Sequence, residues 1–177
     1  MVEHRAGPVD WLFVALTVAG YAGLVWVLAA PLLARLGGLA VLVPTALTAG
    51  TVWTADLLAQ AGKAVVDRPR PYRVVPEADP LVSTDVGSSF PSGHAATSFA
   101  GAVILAYLFR RGVPWLFVLA VAVAFSRVYV GAHYPADVLA GAVLGSAVGL
   151  VVVLAVLRPR RRTSEARPRS GAGPPGG

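Results

Sequence analysis

Long apolar runs separated by short polar stretches dominate the chain. Each run is close to the roughly 20 residues that a helix needs to cross about 30 Å of hydrocarbon. The pattern therefore predicts an all-α integral membrane protein, a helical bundle with about five transmembrane helices. The five runs cover residues 11–30, 39–61, 94–109, 114–130 and 136–157.

The polar stretches predict the connections between these helices. Residues 31–38 are expected to form a short turn, and residues 72–90, rich in Pro, Ser and Asp, a loop. Residues 163–177 consist mainly of Gly, Pro, Ser and Arg, and they lack the apolar surface needed to fold. We expect one membrane domain over residues 1–162, followed by a disordered cytoplasmic tail over residues 163–177.

Composition excludes several classes of protein. Of the 177 residues, 56% are hydrophobic and only 14% are charged, and the mean hydropathy is +0.68. Soluble domains carry charge on about a quarter of their residues. The chain has no cysteine, which excludes a disulfide, a thiolate metal site and a cysteine nucleophile.

The net charge of +6 comes largely from the end of the chain. Six arginines and one glutamate after residue 157 leave a net +5 there. A basic segment directly after an apolar span is typical of a cytoplasmic anchor rather than of a nucleic-acid-binding arm. We therefore expect the membrane bilayer as a partner and no nucleic acid.

Three polar motifs interrupt the apolar background, each at the edge of an apolar run. Ionisable groups inside a membrane protein are energetically costly and usually functional. The first motif is Lys63-x6-Arg70-Pro71, the second is Pro91-Ser92-Gly93-His94, and the third is Ser126-Arg127-x5-His133-x3-Asp137.

The alternation of five spans places all three motifs on one side of the membrane. The opposite side receives Arg35, Arg110, Arg111 and the basic tail, and an excess of arginine marks the cytoplasmic side. The motifs and the N-terminus are therefore predicted to be extracytoplasmic. The Gly and Ala residues of the fifth run, such as Gly141 and Gly145, favour close helix packing within the bundle.

The cations and the serine–glycine pair of the motifs suit a phosphate group. Phosphoryl transfer depends mostly on positioning and on neutralising the charge of the phosphate oxygens. Lys63, Arg70 and Arg127 supply positive charge, and a guanidinium matches phosphate oxygens in pairs. Ser92 and Gly93 stand at the start of the third helix, where free backbone N–H groups favour an anion.

The two motif histidines and the aspartate suit nucleophilic catalysis. Asp137 follows His133 by four residues, so we expect its carboxylate to accept the Nδ1–H of His133 and leave Nε2 as the nucleophile. His94 is predicted to protonate the leaving oxygen. Two histidines and an aspartate are also a zinc-ligand set. The surrounding cations would repel a metal ion, so we expect no metal and no cofactor.

Together the three motifs resemble the signature of the type 2 phosphatidic acid phosphatase family, which is related to the vanadium haloperoxidases. The resemblance covers residues 63–137 and implies a core of the phosphatidic acid phosphatase type 2/haloperoxidase-like type. It also implies metal-independent hydrolysis of a phosphomonoester or pyrophosphate through a phosphohistidine. Membrane members of that family usually have six spans, whereas the hydropathy pattern here predicts five.

A site at a membrane surface favours a lipid phosphate as substrate. The family resemblance suggests polyprenyl pyrophosphate, phosphatidate, phosphatidylglycerophosphate or diacylglycerol pyrophosphate. The predicted orientation in the cell membrane favours polyprenyl pyrophosphate. The alternatives are a vanadate-dependent haloperoxidase and a non-catalytic lipid-phosphate-binding or transport protein. The sequence makes no prediction about oligomeric state.

Overall fold

The computed structural model describes residues 7–75, 80–82, 87–109 and 113–157. Within these ranges the secondary structure is entirely helical, and predictions about Arg110, Arg111 and residues 158–177 lie outside them. A 3-10 turn at Tyr21–Gly23 joins the first two helices, and a π-helical turn at Val153–Leu157 extends the last. The α-helices are α1 Pro8–Ala19, α2 Leu24–Leu36, α3 Leu42–Val65, α4 Pro71–Val74, α5 Gly93–Phe109, α6 Val113–Tyr129 and α7 Pro135–Val152.

The outward faces of these helices carry large apolar side chains, as a lipid environment requires. Trp11, Leu57 and Val143 are all at least 70% exposed. Of the described helices, α3 and α7 with its extension are long and apolar enough to cross a bilayer, and the bent pair α1–α2 adds a third span if it counts as one. The helices α5 and α6 are apolar but shorter, with 17 residues each. The predicted all-α membrane bundle is confirmed.

The prediction of one straight helix over residues 11–30 is wrong. The helices α1 and α2 meet at an angle of 54°, and the bend occurs at Tyr21–Gly23. Ala22 and Gly23 both have positive φ, +49° and +69°, which no continuous α-helix accepts. The predicted turn at residues 31–38 is also wrong in part, because α2 continues through Pro31 to Leu36.

The helix α5 forms the centre of the bundle, with α2, α3, α6 and α7 around it. Ten of its 17 residues are buried, and most of them are small. Trp26 of α2 is fully buried against Gly101 of α5, and its indole N–H donates to Ser98 Oγ at 3.3 Å. Because α5 touches each of these neighbours, its N-terminus has a fixed position relative to theirs.

Close contact between α5 and α7 depends on glycines of α7. A Cβ at Gly141 would collide with the Ser92 carbonyl, and one at Gly145 would collide with the Ala96 carbonyl. The predicted close helix packing within the bundle is confirmed. It brings the N-termini of α5 and α7, and the motif residues on them, directly beside each other.

Candidate active site

The three sequence motifs meet around one cavity of about 470 Å³. The first motif begins in the last turn of α3, the second lies at the start of α5, and the third extends from the end of α6 into α7. These helix ends all lie on the same side of the bundle. The motif residues that line the cavity are Lys63, Arg70, Gly93, His94, Arg127 and His133.

A tight turn after α6 places His133 next to Arg127. The carbonyl of Arg127 accepts the N–H groups of both Ala132 and His133 at 3.1 Å. Gly131 allows this reversal because it adopts a φ of +76°, a conformation that glycine accepts without steric cost. The spacing of the third motif therefore reflects the length of this turn.

His133 is buried, and both of its ring nitrogens have defined neighbours. Nδ1 lies 2.7 Å from the backbone carbonyl oxygen of Ser89, while Nε2 lies 3.5 Å from Nη1 of Arg70. A carbonyl only accepts hydrogen bonds and a guanidinium only donates them. In the neutral ring the proton therefore belongs on Nδ1, and Nε2 carries a lone pair at the edge of the cavity.

Asp137 does not accept the Nδ1–H of His133 in the way that the sequence predicts. Its Oδ2 lies 3.8 Å from Nδ1, an ion-pair distance that is too long for a hydrogen bond. The carboxylate is held elsewhere, because Oδ2 accepts the N–H of Tyr134 at 2.9 Å and Oδ1 accepts from Nη1 of Arg68 at 2.7 Å. Asp137 thus caps α7 and acts on His133 through its charge.

The surroundings of His133 lower the pKa of its imidazole below the ordinary value. Burial is the main cause, since it disfavours the charged ring. The carboxylate of Asp137 opposes this shift, whereas the positive charges of Arg127 and Arg70 add to it. The ring is therefore neutral, and its Nε2 lone pair available, at pH values where a free imidazole is partly protonated.

Arg70 is buried and held by backbone carbonyls. Its Nε donates to Gly87 at 3.3 Å, Nη1 to Ala132 at 3.2 Å and Nη2 to Ser88 at 3.5 Å. These contacts fix the plane of the guanidinium beside His133. Arg127 is also buried, and Lys63 enters the cavity from the last turn of α3. Three cations therefore surround the space in front of Nε2.

The two residues of the second motif that were predicted to bind phosphate have different positions. Gly93 lines the cavity as the first residue of α5. Ser92 is fully buried and is not among the residues that line the cavity, so its contact with phosphate stays a prediction. Its hydroxyl turns back to 3.5 Å from the N–H of Ala95, and its own N–H donates to the Asp137 carbonyl at 2.9 Å.

His94 lines the cavity and contacts the bent first segment. Its Nε2 lies 3.1 Å from the carbonyl oxygen of Thr17 in α1. Since the carbonyl only accepts, Nε2 carries a proton, and Nδ1 is the nitrogen left for exchange with a substrate. The hydroxyl of Thr17 lies 2.8 Å from that of Ser126, so Thr17 joins the second motif to the third.

Sequence reasoning missed several groups that hold the site together. Arg68 lies between Lys63 and Arg70 of the first motif, and it pairs with Asp137 and stacks over the Tyr134 ring, 4.2 Å from its centroid. Ser89 and Thr17 contact His133 and His94 through their backbone carbonyls, which no residue type in a sequence reveals. Across the part of the chain that the structure describes, no three His, Asp or Glu side chains are grouped to hold a metal ion.

Comparison with known proteins agrees with this geometry. Residues 38–161 match the family model of the PAP2 superfamily, which is well over half of the chain. The chain belongs to the PAP2 superfamily. The PAP2 match includes all three motifs and α3, α5, α6 and α7, and it leaves out the whole bent segment α1–α2.

Individual PAP2 relatives cover parts of the chain. An undecaprenyl-diphosphatase of Sulfolobus acidocaldarius is 38% identical over 103 residues, 56% of this chain and 48% of that protein. A decaprenylphosphoryl-5-phosphoribose phosphatase of Mycobacterium tuberculosis is 37% identical over 100 residues, 56% of this chain and 54% of that protein. The chain thus spans about half the length of the curated relatives it matches.

A solved structure shares the PAP2 fold over nearly the whole chain. The transmembrane PAP2-type phosphatidylglycerolphosphate phosphatase of Bacillus subtilis superposes with a TM-score of 0.70. The match covers 91% of this chain and 83% of that one, at 24% identity. Because it covers 91% of the chain, this likeness supports the fold beyond residues 38–161, which the family model matches.

Proposed function

We propose that this protein hydrolyses a phosphate group from a membrane lipid through a phosphohistidine intermediate, without a metal ion. The observation that carries the proposal is the geometry of His133. Its proton is held on Nδ1 by a carbonyl, and its Nε2 lone pair lies beside Arg70 at the edge of a cationic cavity. A neutral, oriented imidazole next to fixed positive charge is what attack on a phosphate requires.

The first step transfers the phosphoryl group to the enzyme. Nε2 of His133 forms a bond to phosphorus while the bond from phosphorus to the lipid oxygen breaks. His94 enters this step with a proton on each ring nitrogen, and its Nδ1 proton passes to the leaving oxygen. The Asp137 carboxylate stabilises the positive charge that develops on His133. Arg70 and Arg127 neutralise the phosphoryl oxygens, as arginines do in phosphoryl transfer.

The second step releases phosphate. Water attacks phosphorus and gives its proton to His94, which now acts as a base. The bond between phosphorus and Nε2 breaks, and its electron pair returns to the ring of His133. Inorganic phosphate leaves, and both histidines have recovered their original protonation.

The lipid class follows from where the cavity lies. It opens at the ends of membrane-spanning helices, so a phosphate headgroup reaches it while the acyl or prenyl chains stay among the lipids. We place this end of the bundle on the extracytoplasmic face, because Arg35 lies at the opposite end. The names of the two relatives, one a polyprenyl diphosphatase and the other a phosphatase of a polyprenyl sugar phosphate, support a phosphorylated lipid as substrate.

Phosphate release from purified protein tests this proposal. The detergent-solubilised protein is assayed in excess EDTA with polyprenyl pyrophosphate, phosphatidate, phosphatidylglycerophosphate and a soluble phosphomonoester. We expect release from at least one lipid by the wild type and none above background by His133→Ala. A substrate labelled with ³²P should leave label on the wild type that survives alkali and is lost in acid, as a phosphohistidine does.

Three results would contradict the proposal. Full turnover by His133→Ala would remove this residue from the mechanism. Activity that disappears in EDTA and returns with zinc or magnesium would favour a metal-dependent reaction. Tight binding of the lipid phosphates without any release would favour the binding or transport alternative. Unfolding of the variant is monitored by its elution from a size-exclusion column.

A further inference from the structure

A carboxylate lies inside the cationic cavity and has no part in the proposed reaction. Asp56 belongs to α3, a membrane-spanning helix, and it lines the cavity together with Gln60 and Lys63. Positions 56, 60 and 63 share one face of a helix, because they are four and three residues apart. An acid at this depth in a spanning helix is costly and points to a function.

The position of Asp56 is defined by its contact with the second motif. A Cβ built on Gly93 would lie 3.2 Å from Oδ1 of Asp56, and no other heavy atom comes as close. The carboxylate therefore rests against the first residue of α5, next to His94. Among the described residues, no hydrogen bond or ion pair involves the Asp56 side chain. It faces the cavity without holding another side chain of the site in place.

The contact with Gly93 places Asp56 on the leaving-group side of the phosphate. In an in-line displacement the nucleophile and the leaving oxygen lie on opposite sides of phosphorus. Because His133 attacks and His94 protonates the leaving oxygen, the space beside His94 receives the leaving alcohol. Asp56 and Gln60 border this space, and Tyr21 of the bent segment completes it.

A carboxylate in this place discriminates between leaving groups by their charge. It accepts a hydrogen bond from an alcohol that carries a further hydroxyl group. It repels a leaving group that itself carries a phosphate. Hydrolysis of a lipid diphosphate has such a leaving group, the lipid monophosphate. The side-chain amide of Gln60 can donate to, or accept from, a neighbouring hydroxyl in the same space.

We infer that Asp56 and Gln60 form a subsite for a leaving alcohol with free hydroxyl groups. The preferred substrates are then phosphomonoesters on glycerol or sugar headgroups of lipids, and lipid diphosphates are poorer substrates. This inference rests on the proposed phosphatase function and narrows its substrate class. It also reverses the preference for polyprenyl pyrophosphate that membrane orientation suggested, because orientation says nothing about the groups around the leaving oxygen.

The test compares three lipids with the wild type and Asp56→Asn. Phosphatidylglycerophosphate has a free hydroxyl on its leaving alcohol, phosphatidate has none, and undecaprenyl pyrophosphate releases a monophosphate. We expect the wild type to show kcat/KM values that decrease in this order. In Asp56→Asn the ratio of the first value to the third should fall by at least about tenfold, since a hydrogen bond to a charged group is lost and a repulsion is removed.

Asp67→Asn is the matched control, because Asp67 is exposed and does not line the cavity. The same loss of negative charge there should leave the substrate ratio within about twofold, as for a surface substitution.

The outcomes separate this inference from the function on which it rests. A wild type that prefers undecaprenyl pyrophosphate, or an unchanged ratio in Asp56→Asn, would overturn the subsite while leaving the phosphatase intact. Wild-type activity that requires an added divalent cation and loses this requirement in Asp56→Asn would make Asp56 a cation ligand instead. An absence of phosphate release from all three lipids would overturn both the function and the subsite.

Discussion

Asp137 is one of several groups that set the pKa of His133, and its carboxylate is paired with Arg68 at 2.7 Å. The carboxylate raises the pKa of the imidazole against the larger effect of burial, and we expect the positive charge of Arg68 to weaken this contribution. Arg68 is partly exposed and does not line the cavity, so it acts on the reaction through Asp137. Arg68 is therefore a positioning residue.

This arrangement predicts opposite pH shifts for two substitutions. The rate falls on the acid side when His133 takes up a proton, since only the neutral ring attacks. Asp137→Asn lowers the pKa of His133 further, so the acid limb of kcat/KM should move to lower pH by about one unit. Arg68→Gln removes the positive charge that is paired with Asp137, so the Asp137 carboxylate should raise the pKa of His133 more strongly. The acid limb should then move to higher pH. The measurement is the pH profile of phosphate release.

A purely structural role for Arg68 would give a different result. Loss of packing alone would reduce the rate at every pH without moving the limb. Arg68→Lys keeps the charge near Asp137 and should keep the limb in place. Shifts in the same direction for Asp137→Asn and Arg68→Gln would show that the pair does not tune His133.

Among individual residues, the sequence predicts the reacting side chains better than it predicts the groups that hold them in position. Lys63, Arg70, His94, Arg127 and His133 can be predicted because each is a basic residue at the edge of an apolar helix, and all five line the cavity. Their supports are largely carbonyl groups, such as that of Ser89 on Nδ1 of His133. Every residue has a carbonyl, so no residue type reveals which one turns towards an imidazole.

Among the helices, the contact between α5 and α7 determines how closely the second and third motifs approach each other. Replacing Gly145 by Val would force its side chain into the Ala96 carbonyl and the start of the next turn of α5. We expect a loss of about 1–3 kcal/mol in the free energy of unfolding, as for overpacked cores. Activity should fall as well, because His94 and His133 lie at the ends of these two helices. Thermal unfolding in detergent measures the first effect.

Gly50 provides a control in another spanning helix. A Cβ built there meets no atom within 4 Å, and its backbone is helical. Gly50→Ala should therefore be neutral or stabilise α3 by up to about 1 kcal/mol, because glycine is a poor helix former. Equal losses of stability for Gly145→Val and Gly50→Ala would contradict the idea that contact with α5, rather than helix propensity, makes Gly145 necessary.

The bent segment shows why hydropathy predicts helices better than their breaks. Residues 11–30 are apolar throughout, and hydropathy does not distinguish a straight helix from two helices at 54°. At the bend, an added Cβ on Gly23 would collide with Val52 of α3, and one on Gly20 would collide with Val123 of α6, so both glycines allow close packing there. These are contacts with residues far along the chain, so they are invisible in a local window.

For the whole molecule, the remaining question is which membrane face carries the cavity. The helix α3 has 24 residues and is about 36 Å long, so the α2–α3 loop and the segment after α3 lie at opposite ends of the bundle. The chain has no cysteine, so a single introduced cysteine reports its own side. Leu39 and Val75 are both exposed and mark the two ends.

A membrane-impermeant maleimide added to intact cells should react with Val75→Cys and leave Leu39→Cys unmodified. The reason is that Arg35 lies at the end marked by Leu39, and arginines flanking membrane spans favour the cytoplasmic side. Both variants should react after permeabilisation, which confirms that each site is accessible. The reverse pattern would place the cavity on the cytoplasmic face. The proposed reaction at His133 would still be possible, but the lipid substrate would then have to come from the inner leaflet.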